Sequence, residues 1–164
     1  MKKDHNLVLA LYPNTRGLGY ACVESPKDII DYGIVTVRPI CNGRILKRAK
    51  KFIEYYEPTL ILIQDYESKY SRHGKRVSGL IDTIVAYAKE KRVPIKQYSR
   101  EQIRNVLEQF GAKTKYEIAT KIIKWLPELK HRTPKVRKLW MSEDYNMGIF
   151  DALSLAITHF YLME

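Results

Sequence analysis

Cysteine is scarce in this chain, with only Cys22 and Cys41 among its 164 residues. The two cysteines do not form a Cys-x-x-Cys pair, and the four histidines lack the spacing of zinc ligands. This pattern argues against a disulfide framework and against a zinc site. It favours two reduced thiols in a cytoplasmic protein.

Long apolar runs are also missing. No segment approaches the roughly 20 apolar residues that a membrane-spanning helix needs. The first residues are basic, but the apolar stretch that follows them is short and ends at Pro13, unlike a secretory signal. We therefore expect neither membrane insertion nor secretion.

Acidic residues are few relative to basic ones. Asp and Glu total 18 and Lys and Arg total 29, so the formal net charge is +11. An excess of this size favours a polyanionic partner, such as DNA, RNA or an anionic membrane surface. The apolar content of 45% is typical of a folded chain. The length suits one domain that spans residues 1–164.

Hydrophobic periodicity predicts an α/β fold. Residues 6–12 are apolar almost throughout, as in a strand buried on both faces. Turn residues separate this strand from two others, which predicts an antiparallel meander. Later strands alternate with helices, which implies parallel pairing through crossovers. The predicted strands span 6–12, 17–24, 29–37, 59–63 and 93–98; the predicted helices span 45–56, 74–92, 100–109, 115–126 and 145–162; residues 127–142 are predicted to be irregular.

Four segments carry motifs that one known family shares in the same order. Residues 10–20 (ALYPNTRGLGY) match parts of G-I-D-P-G-x-R-x-x-G-Y, and residues 58–67 (PTLILIQDYE) form a strand that ends in acids. Residues 97–123 place a strand before two helices, and residues 146–159 (NMGIFDALSLAITH) are similar to D-A-x-D-A-L-A-x-A-x-x-H. The chain thus resembles the RuvC-type Holliday-junction resolvases of the RNase H-like superfamily. This resemblance implies a mixed five-stranded sheet flanked by helices.

The resemblance also implies metal-dependent cleavage, because that family cuts DNA with carboxylates that hold Mg²⁺. Mg²⁺ or Mn²⁺ prefers oxygen ligands, and two such ions can activate a water and stabilise the leaving oxygen. Here the first acid of the family aligns with Tyr12 and the second with Gln64. The earlier acid of the last helix aligns with Gly148, and the later acid is retained as Asp151. The chain is therefore a divergent version of the family pattern.

Other acids lie near the missing positions. Asp65 and Glu67 follow the second motif strand, and Asp144 lies two helical turns before Asp151. The resemblance gives Tyr12, Gln64, Asp65, Glu67 and Asp151 as catalytic candidates, and Asp65, Glu67, Asp144 and Asp151 as metal-ligand candidates.

Each of these residues also has an ordinary structural alternative. Asp151 could be a polar residue on a solvent face, and Asp65 and Glu67 could be loop acids. Asp144 is also suited to be a helix N-cap. Tyr12 could belong to the core, although its position at a strand end beside Pro13 favours a pocket.

Three basic clusters are candidates for contact with phosphates. Residues 66–76 mix tyrosines with cations, residues 130–138 contain no acid, and a third cluster lies at the predicted start of the helix 115–126. Cations beside aromatic side chains are typical of single-strand or junction binding. A solvated charge run is the alternative for any one cluster. The candidate nucleic-acid-binding residues are Arg16, Lys69, Arg72, Lys75, Arg76, Lys113, Lys115, Arg132, Lys135, Arg137 and Lys138.

Two functions from different classes remain open. The first is a metal-dependent endodeoxyribonuclease that acts on branched DNA with a rearranged acidic site. The alternative is a catalytically inactive RNase H-like protein that binds nucleic acid. In either case we expect branched or single-stranded DNA as the partner. The resemblance also implies a homodimer through the helix 74–92, whose apolar stripe could equally pack on the sheet of its own chain.

Overall fold

The centre of the fold is a mixed sheet of five strands. The computed structural model describes residues 6–66, 74–138 and 140–164. The strands are β1 (Val8–Pro13), β2 (Gly17–Ser25), β3 (Asp28–Thr36), β4 (Leu60–Asp65) and β5 (Ile95–Ser99). Their order is β3-β2-β1-β4-β5, with β2 antiparallel to β1 and β3, and β4 parallel to β1 and β5. This arrangement confirms the predicted fold class.

Helices cover both faces of the sheet. They are α1 (Asn42–Tyr56), α2 (Lys75–Glu90), α3 (Arg100–Glu108), α4 (Lys115–Trp125) and α5 (Met147–Leu162). Leu9 and Leu11 of β1 face α1 and α2, whereas Val8 and Ala10 face the layer of α3, α4 and α5. The prediction that the first strand is buried on both faces is therefore confirmed. None of the helices in the described part of the chain combines the length and apolar character that a membrane crossing requires.

The first turn of α5 approaches β2 unusually closely. A Cβ atom at Gly19 would lie 2.1 Å from the carbonyl oxygen of Gly148, so this approach requires glycine at position 19. Tyr12 pairs with Gly19 across the sheet. The contact therefore brings the start of α5, and with it Asp151 one turn later, toward the end of β1.

The segment before α5 differs from its prediction. The pattern predicts irregular structure over 127–142, but Pro127–Arg132 forms a 3-10 helix. Proline suits the first position of a helix, and the fully buried Leu129 anchors this turn in the core. In addition, α5 begins at Met147, two residues later than predicted.

The apolar stripe of α2 is buried within its own chain. Val77, Leu80, Ile81 and Ile84 pack in the core cluster between the sheet and α1. The stripe is therefore accounted for without a second copy, and the homodimer remains a prediction.

Candidate nucleic-acid-binding cleft

A cleft of about 540 Å³ opens at the end of the sheet where β1 and β4 finish. These strands are parallel neighbours, so their carboxyl ends bring Tyr12 and Gln64 to one edge. Gly74, Arg100 and Lys115, which lie at the starts of α2, α3 and α4, line the same cleft. Crevices at the carboxyl ends of parallel strands are common ligand sites in α/β folds.

Two capping boxes fix the starts of the helices that carry Arg100 and Lys115. The Thr114 hydroxyl accepts a hydrogen bond from the Glu117 backbone, and the Glu117 side chain accepts one from the Thr114 backbone. Ser99 and Gln102 make the same reciprocal pair at the start of α3. Such pairs satisfy free amide groups in the first helical turn. They hold Lys115 and Arg100, the first residues of α4 and α3, in place at the cleft.

The ammonium of Lys115 contacts two carboxylates at the cleft. Its Nζ lies 3.2 Å from Oδ2 of Asp151 and 3.3 and 3.2 Å from Oε1 and Oε2 of Glu143. Nη1 of Arg100 lies 4.0 Å from the other oxygen of Asp151. Asp151 is buried, so its alternative assignment to a solvent face is wrong. Its negative charge is balanced by Lys115 and Arg100 rather than by water.

The electrostatics of the cleft favour a protonated lysine. Burial is the largest single influence on Lys115 and opposes its charged form, but Asp151, Tyr12 and Glu143 together outweigh burial and raise the pKa of Lys115 above its usual value. Burial raises the pKa of Asp151, and the ammonium of Lys115 is the largest influence that opposes this rise. Lys115 is therefore a permanent cation of the cleft at neutral pH.

Tyr12 lies beneath this cation. Nζ of Lys115 is 5.7 Å from the centre of the Tyr12 ring, which is within the range of a cation–π contact. Burial and then the charge of Asp151 raise the pKa of Tyr12. The phenol is consequently neutral at pH 7, and a neutral phenol is a poor ligand for Mg²⁺.

The end of β4 contributes two polar residues to the cleft. Nε2 of Gln64 donates to the carbonyl of Pro13 at 2.8 Å, which ties the ends of β4 and β1 together. Gln64 thus has a structural bond at the position where the family has an acid. Asp65 lines the cleft, whereas Glu67 lies outside the described residues.

Asp144 and Gly148 have backbone roles at the start of α5. Asp144 accepts hydrogen bonds from the backbone amides of Asn146 at 2.9 Å and Lys135 at 3.1 Å, one with each oxygen. The N-cap of α5 is Asn146, so the N-cap alternative for Asp144 is wrong, and its carboxylate instead fixes the backbone before the helix. A Cβ atom at Gly148 would lie 3.2 Å from Nδ2 of Asn14. An acid at position 148 would therefore have to displace that side chain.

Two acidic side chains of the cleft are paired with a lysine rather than grouped as metal ligands. Within 6–66, 74–138 and 140–164, no three His, Cys, Asp or Glu side chains come together as a ligand cluster. Asp151 and Glu143 instead face the ammonium of Lys115, and Tyr12 and Gln64 are neutral. Mg²⁺ sites in proteins usually rely on one or two available carboxylates.

Three of the predicted nucleic-acid-binding arginines donate hydrogen bonds within the segments around the cleft. Arg16 donates to the carbonyl of Glu143 at 2.7 Å, and Arg76 donates to the carbonyl of Asn14 at 2.5 Å. Arg132 donates at 3.0 Å to a side-chain oxygen just before α5. These bonds position the loop 14–17 and the segment before α5. The three guanidinium groups therefore have structural roles as well as charge.

The other predicted basic residues are more accessible. Arg137 lines the cleft, and Nζ of Lys113 lies 3.6 Å from Glu108. Lys69 and Arg72 lie outside the described residues. The exposed members of the predicted set are Lys75, Lys113, Lys135, Arg137 and Lys138.

Sequence reasoning missed three side chains of this region. Arg100 follows the capping residue at the end of β5, and that placement is a signal that could have identified it. Glu143 lies 28 residues from Lys115 in a segment without periodicity, so no local pattern points to their contact. Trp140 is 80% exposed, and Nζ of Lys138 lies 5.4 Å from its ring. This pair is suited to stack on a base beside a phosphate.

Comparison with known proteins identifies the fold. No family model matches the chain, and no curated protein matches its sequence. The structure is similar to RuvC of Thermus thermophilus in complex with a Holliday-junction substrate, with a TM-score of 0.68 and 21% identity over 97% of this chain and 96% of that chain. It is equally similar to another Thermus thermophilus RuvC structure, with a TM-score of 0.68 and 19% identity over 96% and 95% of the two chains. The chain therefore has a RuvC-like fold.

Proposed function

We propose that this protein binds branched nucleic acid, DNA in the first instance, in the cleft at the ends of β1 and β4. The observation that carries the proposal is the basic rim of this cleft: Arg137 lines it and is followed by exposed Lys138, whereas Arg100 and Lys115 inside the cleft lie beside acids. The similar RuvC structure is a complex with a Holliday-junction substrate, so the fold is one that can accommodate such a molecule.

The charge of the chain supports this proposal. A net charge of +11 favours association with phosphate backbones, because neutralised phosphates release condensed counterions. Exposed Lys135, Arg137 and Lys138 lie in the segment that borders the cleft, next to the exposed ring of Trp140. Cations that follow the backbone and an aromatic ring that stacks on bases are the usual elements of single-strand or junction binding.

We further propose that the cleft binds without a resident divalent metal ion and does not cut. Lys115 supplies the positive charge next to Asp151. A lysine ammonium donates hydrogen bonds but has no acceptor and no open coordination position, so it cannot activate a water as a metal ion does. This proposal corresponds to the non-catalytic alternative.

A metal-dependent nuclease is the second candidate. It is favoured by the presence of Asp65 in the same cleft as the Lys115–Asp151 pair. For this function the ammonium of Lys115 would have to leave Asp151 when nucleic acid binds. Under that condition Asp65 and Asp151 are the acids from which a metal site would be built.

The binding proposal is tested with paired charge variants. We expect Arg137→Gln/Lys138→Gln to weaken binding of a labelled four-way DNA junction, measured by fluorescence anisotropy over a salt series. The slope of log affinity against log salt should fall by roughly 2, since each lost phosphate contact removes about 0.9. The matched control is Lys89→Gln/Lys124→Gln, which removes the same charge from the last turns of α2 and α4.

The outcome separates the cleft from general charge attraction. If both double variants bind the junction equally, the cleft is not the binding site. If the wild-type protein fails to bind junction, fork, single strand and duplex at low salt, the proposed function is wrong.

A further inference from the structure

A second basic groove lies outside the cleft. Its volume is about 440 Å³, and it is formed by the end of β3, the residues that follow it, and the outer face of α1. Its lining includes no acidic residue, and the five cations Arg38, Arg44, Lys47, Arg48 and Lys51 are all exposed.

The groove and the cleft lie at the same end of the sheet. β3 runs parallel to β1, because each is antiparallel to β2. Thr36 at the end of β3 pairs with Gly17, and Leu18 pairs with Pro13 at the end of β1. The loop 14–17 lies between the two sites. Its Arg16 contacts both sides, since its carbonyl accepts a hydrogen bond from the Val37 amide and its guanidinium donates to the Glu143 carbonyl.

The like charges on α1 repel one another, which argues against a face that contacts only water. Arg44 and Arg48 are four residues apart, as are Lys47 and Lys51, and like charges at this spacing destabilise a helix. The first turn of α1 has no acidic residue, although an acid there would favour the helix dipole. A polyanion in the groove would remove this repulsion.

We propose that this groove binds the backbone phosphates of a second segment of the nucleic acid whose first segment occupies the cleft. This inference rests on the proposed function. Two sites on one end of the molecule make the second contact intramolecular, which raises the overall affinity for a ligand that reaches both. A branched or long DNA molecule reaches both sites, whereas a short duplex occupies only one. The groove therefore contributes to selectivity for branched or long DNA over a short duplex.

Nucleic acid suits this groove better than a membrane surface. Peripheral membrane binding combines basic residues with apolar side chains that enter the lipid. Among the lining residues only Val37 is aliphatic, and it is half-buried. A concave site lined by cations instead suits the regularly spaced phosphates of a nucleic-acid backbone.

The test is the variant Lys47→Gln/Lys51→Gln compared with the control Lys89→Gln/Lys124→Gln. Each lowers the formal net charge from +11 to +9, since two charges are removed (11 − 2). We expect the groove variant to bind a four-way junction roughly tenfold more weakly than the control, with a salt slope lower by about 2. Binding of a ten-base-pair duplex should change less than twofold. Thermal unfolding of both variants checks that the fold is retained.

Three results would overturn the inference, and they are distinguishable. If the groove variant and the control bind the junction alike while Arg137→Gln/Lys138→Gln binds weakly, the groove has no role and the proposed function stands. If the wild-type protein binds no nucleic acid, both proposals fail. If the groove variant loses binding to phosphatidylserine vesicles but keeps its affinity for the junction, the groove serves a lipid surface.

Discussion

Lys115 is the residue that links the charged groups of the cleft. Its ammonium contacts two carboxylates, Asp151 and Glu143, and lies over the ring of Tyr12. Because Asp151 is buried, removal of its cationic partner would leave a charge that water cannot solvate. This ion pair explains how the fold accommodates the buried carboxylate of Asp151.

We expect Lys115→Met to destabilise the protein by about 2 kcal/mol. This is below the roughly 3–5 kcal/mol of a fully buried pair, because Lys115 is partly exposed and Arg100 remains near Asp151. Addition of Asp151→Asn should recover part of this loss, since the unpaired carboxylate is then absent. Lys115→Arg keeps the charge and should cost less. Urea unfolding of the wild type, Lys115→Met, Asp151→Asn and the double variant measures the coupling, and strictly additive effects would show that the pair does not form.

At the scale of secondary-structure elements, the contact between β2 and α5 sets the position of the site. The backbones meet at Gly19 and Gly148, and this contact places Asp151 near the end of β1. The two glycines are unequal. A Cβ atom at Gly19 would overlap backbone atoms of Gly148, whereas one at Gly148 would lie no closer than 3.2 Å to any neighbouring atom, the nearest being Nδ2 of Asn14.

We therefore expect Gly19→Ala to destabilise the fold by about 3 kcal/mol or more, since α5 must shift to admit the methyl group. Gly148→Ala should cost less than Gly19→Ala. Gly43→Ala in the first turn of α1 is the control, because its nearest neighbour would be 3.8 Å away and alanine favours a helix. Equilibrium denaturation measures the free energies of unfolding of the three variants. A Gly19→Ala protein as stable as Gly43→Ala would contradict the close approach of Gly19 to Gly148.

The elements themselves were predictable from the sequence because their signals are local. Apolar runs and helical periodicity placed the five strands and the five helices, and the four motif segments placed Asp151 and Asp65 at one end of the sheet. The contact between Lys115 and Glu143 was not predictable, because Glu143 lies in a segment without a repeating pattern. The backbone contacts of Asp144 were not predictable for a similar reason, since the residue lies before the start of α5 at Met147.

At the scale of the whole molecule, two sites with basic residues lie at the same end of the sheet. The cleft combines Arg100, Lys115 and Arg137 with the acids Asp65 and Glu143, and the groove beside α1 adds five cations on the other side of the loop 14–17. A surface of this kind attracts phosphate backbones in the absence of any metal ion. The proposed binding of branched nucleic acid therefore does not require cleavage.

The central claim is that the cleft binds branched DNA with Lys115, rather than a divalent metal ion, beside Asp151. The most direct measurement compares four-way junction affinity in EDTA with that in Mg²⁺ or Mn²⁺ at constant ionic strength, and examines the same DNA on a denaturing gel. We expect equal affinities within about twofold and intact strands in every condition. Strand cleavage that requires Mg²⁺ or Mn²⁺ and disappears in Asp151→Asn would contradict the claim and establish the nuclease.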